Sequence, residues 1–455
     1  MRFRLLLLCA ALLEAGFLAI RGLGDLGGQV PNYLLYYLLS CCAYLTAVWA
    51  ACLPGPPMRP AATALIWTAA LVFRFTVLPM TAGLSDDLAR YRWQGRLQAA
   101  GGNPYLAAPA DPEWSGLRDE TWPRVTRKDL ASVYGPLLEL SYRASYEVAR
   151  RITDDPVAQE RFFKFPFAAL ELGVGWAVWL LLRLSRLPPE RLLIYLWSPL
   201  VVVELWAQGH NDSLAMLLVV LALAAARAAR LRRAWACLTG AALAKLWPAA
   251  LAPLLLFRGE SEGPRPTVWS RAAAAWVAAP LIALAVWPYA GAVLAAGDVL
   301  EGFAGGWQNN DSLYGWILAW SGDDPRQAAA RVGLLWLACA TLLWFTARER
   351  EQAALWSIVA LLLLAANCFP WYLCWFAPLL ALYPNPALLL WTALAGLAYH
   401  VVTDYAILGV WEELAFYRRL EYAPVLALLA LEALRRLTPR RTAAPPVASG
   451  GARPS

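Results

Sequence analysis

Histidine is nearly absent from this sequence: there are two in 455 residues, His210 and His400. Neither stands at ligand-like spacing from other metal-binding residues, which argues against a histidine-built metal centre. Charge is scarce as well. Only 16% of the residues are Asp, Glu, Lys or Arg, and just one long segment is polar. No Walker loop and no GxGxxG pattern occurs, so nucleotide chemistry has no obvious home. No Ser/His/Asp order suggests a nucleophilic triad. All eight cysteines lie in or beside apolar segments and none in the long polar segment. That distribution argues against a disulfide framework and against a thiolate metal site.

Hydrophobic runs are plentiful instead. Apolar residues make up 60% of the chain, mean hydropathy is +0.48, and stretches of some 20 apolar residues recur throughout. Each is long enough to cross about 30 Å of hydrocarbon, which predicts an all-α, multi-pass integral membrane protein. The 24 tryptophans and 18 tyrosines suit interfacial belts. A net charge of +7 resides largely in arginines of short loops, so it reports orientation in the bilayer and not binding of nucleic acid.

Spans are expected at about 4–20, 32–52, 61–80, 162–183, 191–207, 212–229, 271–289, 326–346, 353–367, 372–383, 386–402 and 420–436. The first reads as a retained helix, because no small-residue cleavage site follows it. Arg2, Arg4, Arg59, the Arg227–Arg233 cluster, Arg258, Arg265, Arg271, Arg348, Arg350, Arg435, Arg436, Arg440 and Arg441 all fall on one side only under one condition. Residues 234–257, with Lys245 and Pro248 at their centre, must then form a re-entrant hairpin broken near Pro248. The expected architecture is about twelve crossings plus that hairpin, in a single membrane domain over 1–436, with both termini cytoplasmic. The Pro/Gly/Ser-rich tail at 437–455 reads as disordered.

The segment 81–161 is then an external loop. It opens with Ser85, Asp86 and Asp87, where Ser85 or Asp86 can cap a helix that Gly101, Gly102 and Pro104 end. Within it, 137–152 places Leu138, Tyr142, Val148 and Ile152 roughly on one face, as a helix lying in the interface would. Other polar groups converge on the same side: His210-Asn211-Asp212, Gln308 to Asp311, Asn367 to Tyr372, and His400 with Asp404. Two cations, Arg74 and Lys245, are buried by context and each needs an anion or water. A structural ion pair competes with a ligand role for Arg74, and a hairpin plug competes for Lys245. The histidines read first as structural hydrogen-bonders. Carboxylates at a membrane surface with buried cations nearby fit a reaction whose leaving group is a lipid phosphate. Cations hold the phosphate while a carboxylate deprotonates an acceptor hydroxyl. A transporter or lipid flippase is the rival class, since it too places polar groups and broken helices at membrane depth. The long loop opening on acids, and the absence of a repeat pair, favour the enzyme.

The wording SDDLARYRWQG…GGNPY, then Tyr134-Gly-Pro-Leu, GHNDSLA with GAALAKLWP, and FPWYLCWFAPLLAL, resembles the GT-C glycosyltransferases. The nearest branch is similar to the bacterial polyprenol-phosphate-mannose-dependent mannosyltransferases (glycosyltransferase family 87-like), over most of residues 60–385. The resemblance implies a GT-C-type bundle in the bacterial inner membrane. It implies transfer with inversion from a polyprenyl-phosphate sugar, mannose first among the choices, to a lipid or glycan acceptor on the external face. Counting back from Tyr105, the family's acid falls on Asp87, with Asp86 as a second acid. The more remote GPI-anchor mannosyltransferase carries Asp-x-Asp where this chain has Ser85-Asp86-Asp87, so both acids stand as candidates and a divalent cation is compatible with either. Arg74 and Lys245 are the expected phosphate-binding residues. Tyr91, Tyr105, Tyr134, His210, Asn211, Asp212, Trp371 and Tyr372 are expected to line the substrate site.

Overall fold

Long leucine, alanine and tryptophan runs leave the backbone only its own carbonyls to bond in hydrocarbon, and helices satisfy that demand. A computed structural model of the chain describes residues 1–55, 58, 60–257, 267–292 and 308–437. Among these residues no strand forms, and the sole β-type pairing is a bridge between Asn309 and Asn367. Arg59, Arg258, Arg265, Arg440, Arg441 and residues 438–455 of the expected tail lie outside the described residues.

Among the described residues, seven stretches are long and apolar enough to cross a membrane: Arg2–Gly22, Gly27–Cys52, Pro60–Val77, Pro156–Leu184, Val268–Ala292, Pro325–Thr346 and Pro386–Leu408. Each coincides with an expected span. The protein is thus an all-helical, multi-pass membrane protein. Helices α1 (Arg2–Gly22), α2 (Val30–Cys52) and α3 (Pro60–Val77) pack together at the N-terminal end.

Two of the other expected spans are not regular helices. Residues 191–207 form short pieces: turns at Pro189–Leu192 and Leu193–Leu196, then Pro199–Val202, then a π-helical turn at Val203–Ala207. Residues 372–383 run through a 3-10 turn at Pro370–Trp375 and a single helical turn at Ala377–Leu380. Prolines at 199, 370 and 378 remove backbone donors at these points. Residues 192–212 are buried without exception, so protein rather than lipid surrounds the irregular backbone. Such a segment has the composition of a span without the geometry of one.

Residues 81–161 build two helices that pack on each other, α4 (Asp87–Ala99) and α5 (Pro136–Ile152). Helix α4 is polar yet almost wholly buried. The Arg90 guanidinium donates to the carbonyls of Thr126, Arg127, Leu130 and Ala131, lashing that stretch onto the helix. Arg92 reaches Asp119, Thr121 and Gln159. Helix α5 buries Leu138, Tyr142, Ser145 and Ala149, whereas Val148 and Ile152 are exposed. Its buried face is therefore rotated from the expected one, because α4 packs along it.

Downstream, α6 (Lys164–Leu184), α7 (Ser213–Arg227) and α8 (Leu231–Ala244) pack side by side. The chain breaks after Ala244: Lys245 is extended (φ −136°, ψ 147°), then a 3-10 turn spans Trp247–Leu251 and a short helix Ala252–Phe257. The break expected near Pro248 thus falls three residues earlier, on the lysine itself.

Candidate active site

Two junctions bring distant parts of the chain together. Leu84 N donates to Gln208 Oε1 (3.0 Å), tying the approach to α4 onto the turn that carries His210. In that turn Gly209 has φ +77°, and a Cβ there would sit 2.8 Å from Lys164 Cγ, so only glycine fits. Gly135 N donates to Ala244 O (3.1 Å), pinning the Tyr134 corner to the break at Lys245. A Cβ on Gly135 would lie 2.2 Å from Leu243 O, so these two backbones touch directly.

Between these junctions lies a cavity of about 330 Å³, lined among others by Asp87, Arg90, Tyr91, Arg127, Tyr134, Lys245, Trp371 and Tyr372. Asp87, at the start of α4, takes a hydrogen bond from Tyr91 Oη on Oδ2 (3.1 Å), and His210 Nδ1 is 3.4 Å from the same oxygen. The other carboxylate oxygen is left open to a proton. Ser85 Oγ accepts from Asp87 N (3.3 Å), while the Asp86 side chain makes no cap bond. Burial raises the Asp87 carboxyl, but His210, Lys245 and the Tyr91 hydroxyl outweigh it and hold Asp87 below the usual aspartate range. Asp86 goes the other way. Burial and the neighbouring Asp87 raise it against the pull of Arg124 and Lys128.

Lys245 reaches Asp212 Oδ1 (2.5 Å), which also accepts from Trp375 Nε1 (2.6 Å). Trp247 stacks on Trp375 (4.9 Å between rings) and Tyr372 on Trp375 (4.6 Å), giving the cavity an aromatic wall. Phe369 stacks on Trp371 (4.4 Å) and Trp371 on His210 (4.0 Å).

Of the residues singled out in the sequence, Asp87, Tyr91, Tyr134, Lys245, Trp371 and Tyr372 meet at this cavity. His210, Asn211 and Asp212 are fully buried behind its wall. His210 and Asp212 back Asp87 and Lys245, and the Asn211 amide bonds the Tyr142 hydroxyl. Tyr105 also stands back: its hydroxyl donates to Tyr134 O (2.8 Å) and its ring packs edge-on to Tyr289. Beside it Glu139, buried and bonded by Ser132 and Gln98, is pushed up to about 8 by burial. Arg74 is not brought to the cavity. It is fully buried and paired twice with Glu171 (2.8 and 2.6 Å), with further bonds to Ala70 O and Leu196 O. Its donors are already satisfied inside the bundle, so the structural ion pair is the correct reading. The remaining polar clusters form a separate patch, where Asn310 bonds Cys368 O and Glu421 and His400 bonds Leu397 O and Leu414 N.

Sequence reasoning missed Arg90, Arg127, Trp247, Phe369 and Trp375 on the cavity wall, and Glu204 behind His210. Glu204 had a signal, being a lone acid in an apolar run. Asp86 and Asp87 see different partners, and among the described residues no group of three or more His, Cys, Asp or Glu is placed to hold a metal ion.

No curated protein matches the chain. A family model described as alpha-(1→6)-mannopyranosyltransferase, N-terminal domain, matches residues 21–258, which carry Asp87, Tyr91, Tyr134, His210 and Lys245. With more than half of its length matched, the chain belongs to the alpha-(1→6)-mannopyranosyltransferase (MptA/B) family and is a membrane glycosyltransferase.

Proposed function

We propose that the chain moves mannose from a polyprenyl-phosphate donor to a lipid or glycan acceptor, with inversion, and that Asp87 is the general base. The observation carrying this reading is one cavity that joins an ionised, polarised carboxylate to Lys245, Arg90 and Arg127 across an aromatic wall. The acceptor hydroxyl oxygen attacks the anomeric carbon as the bond from that carbon to the phosphate oxygen breaks. The electron pair leaves with the polyprenyl phosphate, and the hydroxyl proton passes to Asp87. Lys245 gives one of its three N–H donors to Asp212 and keeps the others for phosphate oxygens. Tyr134, Trp371 and Tyr372 offer ring faces to the sugars. Inversion of a β-linked donor yields an α-linked product, the anomer in the family's description.

In this reading the 81–161 loop faces the outside of a bacterial inner membrane. Twelve crossings and the re-entrant segment at 234–257 keep both termini and the basic loops cytoplasmic. The asymmetric placement of arginines supports it. The test is to incubate purified chain with several polyprenyl-phosphate sugars and a short α-(1→6)-linked mannoside, and to identify products by mass. Addition of one hexose from the mannosyl donor is expected. No transfer from any donor would overturn the reading.

A further inference from the structure

Behind Asp87 the contacts do not end at His210. The imidazole lies between two carboxylates: Nδ1 is 3.4 Å from Asp87 Oδ2, and Nε2 is 3.4 Å from Glu204 Oε2. Glu204 Oε2 also accepts from Tyr399 Oη (2.7 Å). Glu204 is fully buried, and it sits on the π-helical turn Val203–Ala207, whose extra residue redirects the chain just before Gly209. The backbone closes the same unit, as His210 N donates to Glu204 O (3.1 Å). Trp371, stacked at 4.0 Å, fixes the plane of the ring. A buried acid in such a place is costly unless a partner uses its charge, and its only charged partner among the described residues is this imidazole.

Resting on the reading of Asp87 as base, we propose that Glu204 and Tyr399 are positioning residues for it, acting through His210. Tyr399 and the His210 backbone orient Glu204, Glu204 holds the imidazole, and the imidazole aims one oxygen of Asp87 away from the acceptor and the other toward it. The titratable or charged groups around this line are Asp87 and Tyr91 on α4, Glu204 on the π turn, Asp212 two residues after His210, Lys245 at the helix break, and Tyr33, Tyr37, Cys374 and Tyr399 around Glu204. The two carboxylates outweigh burial and raise His210 to about 9, so it is cationic at neutral pH. Removing either carboxylate lowers that value.

A double-mutant cycle on kcat tests the line, using purified full-length chain, tritiated polyprenyl-phosphate mannose and a short α-(1→6)-linked mannoside. Asp87→Asn is run beside it. If Asp87→Asn keeps its turnover, the base assignment fails and the relay falls with it. With Asp87→Asn inactive, Glu204→Gln should lower kcat roughly 10- to 100-fold and Tyr399→Phe several-fold, the scale of losing a hydrogen bond to a charged group. The donor KM should be unchanged. In a His210→Gln background Glu204→Gln should cost nothing further, and in the single variant the alkaline limb of kcat should move to lower pH. A merely structural glutamate moves neither. Equal losses with and without His210, or an unmoved alkaline limb in both Glu204→Gln and Tyr399→Phe, would overturn the relay while leaving Asp87 as base.

Discussion

At the scale of residues, the two cations set in apolar runs differ in burial and in partners: Arg74 is fully buried and Lys245 only partly. Arg74 has both donor edges filled by Glu171 and by main-chain carbonyls. Arg74→Met should therefore destabilise the fold by about 3–5 kcal/mol, the cost of stranding a buried charge. Whatever folds should keep its donor KM, which thermal unfolding and kinetics in detergent would show. Lys245 keeps free N–H groups toward the cavity, so Lys245→Met should raise the donor KM tenfold or more. Because it strands the buried Asp212 carboxylate it should also lower the melting temperature, so the KM is read on the folded fraction. The sequence placed both cations in apolar runs and could not tell them apart, because Glu171 lies 97 residues from Arg74 while Asp212 lies 33 from Lys245. His210 adds a pH dependence. Its value is raised in the folded state, so its stabilising contribution is complete below about 6.5, the unfolded value. That contribution declines as pH rises and is gone above about 9, the folded value. Melting temperature should fall more steeply across that window in the wild type than in His210→Gln, where the raised Glu139 still contributes a decline up to about 8.

Elements show where reading by composition stops. Asp87, Tyr91, Tyr134 and Lys245 were legible because each is polar, or follows a helix stop, beside a hydrophobic run. Tyr399 was not, because 386–402 has the composition of a plain span, and Glu204 showed only as a lone acid in the apolar run 191–207, with nothing in the sequence to say what it faces. Nothing in hydropathy distinguishes a lipid-facing helix from a proline-broken segment wrapped by protein, and the π turn at Val203–Ala207 is invisible to it. The junction at Gly135 is equally local. Its amide bonds Ala244 O with no room for a side chain, so Gly135→Val must push the Tyr134 corner away from Lys245. That variant should lose transfer through a raised donor KM more than through kcat. An unchanged KM would show that the cavity does not depend on this contact.

On the scale of the whole molecule, a helical bundle holds the 81–161 loop against one broken helix. The family match covers the half that carries both. The remainder supplies the Trp371–Trp375 wall from a second broken segment, again packed in protein. The proposed orientation is testable in intact cells. A cysteine at Asn103, in the loop after α4, should react with an impermeant thiol reagent from outside, and one at Glu260 should not. Strong labelling at Glu260 would make 234–257 a full span and reverse every later segment. The central claim, however, rests on one carboxylate. Asp87→Asn keeps the shape of the side chain and removes its ability to take a proton, so the transfer rate should fall by roughly 100-fold or more while donor binding persists. Asp86→Asn, whose carboxyl lies among Arg124 and Lys128 instead, should lose much less. Near-normal turnover in Asp87→Asn, measured as mannose transferred per enzyme per unit time, would contradict the account.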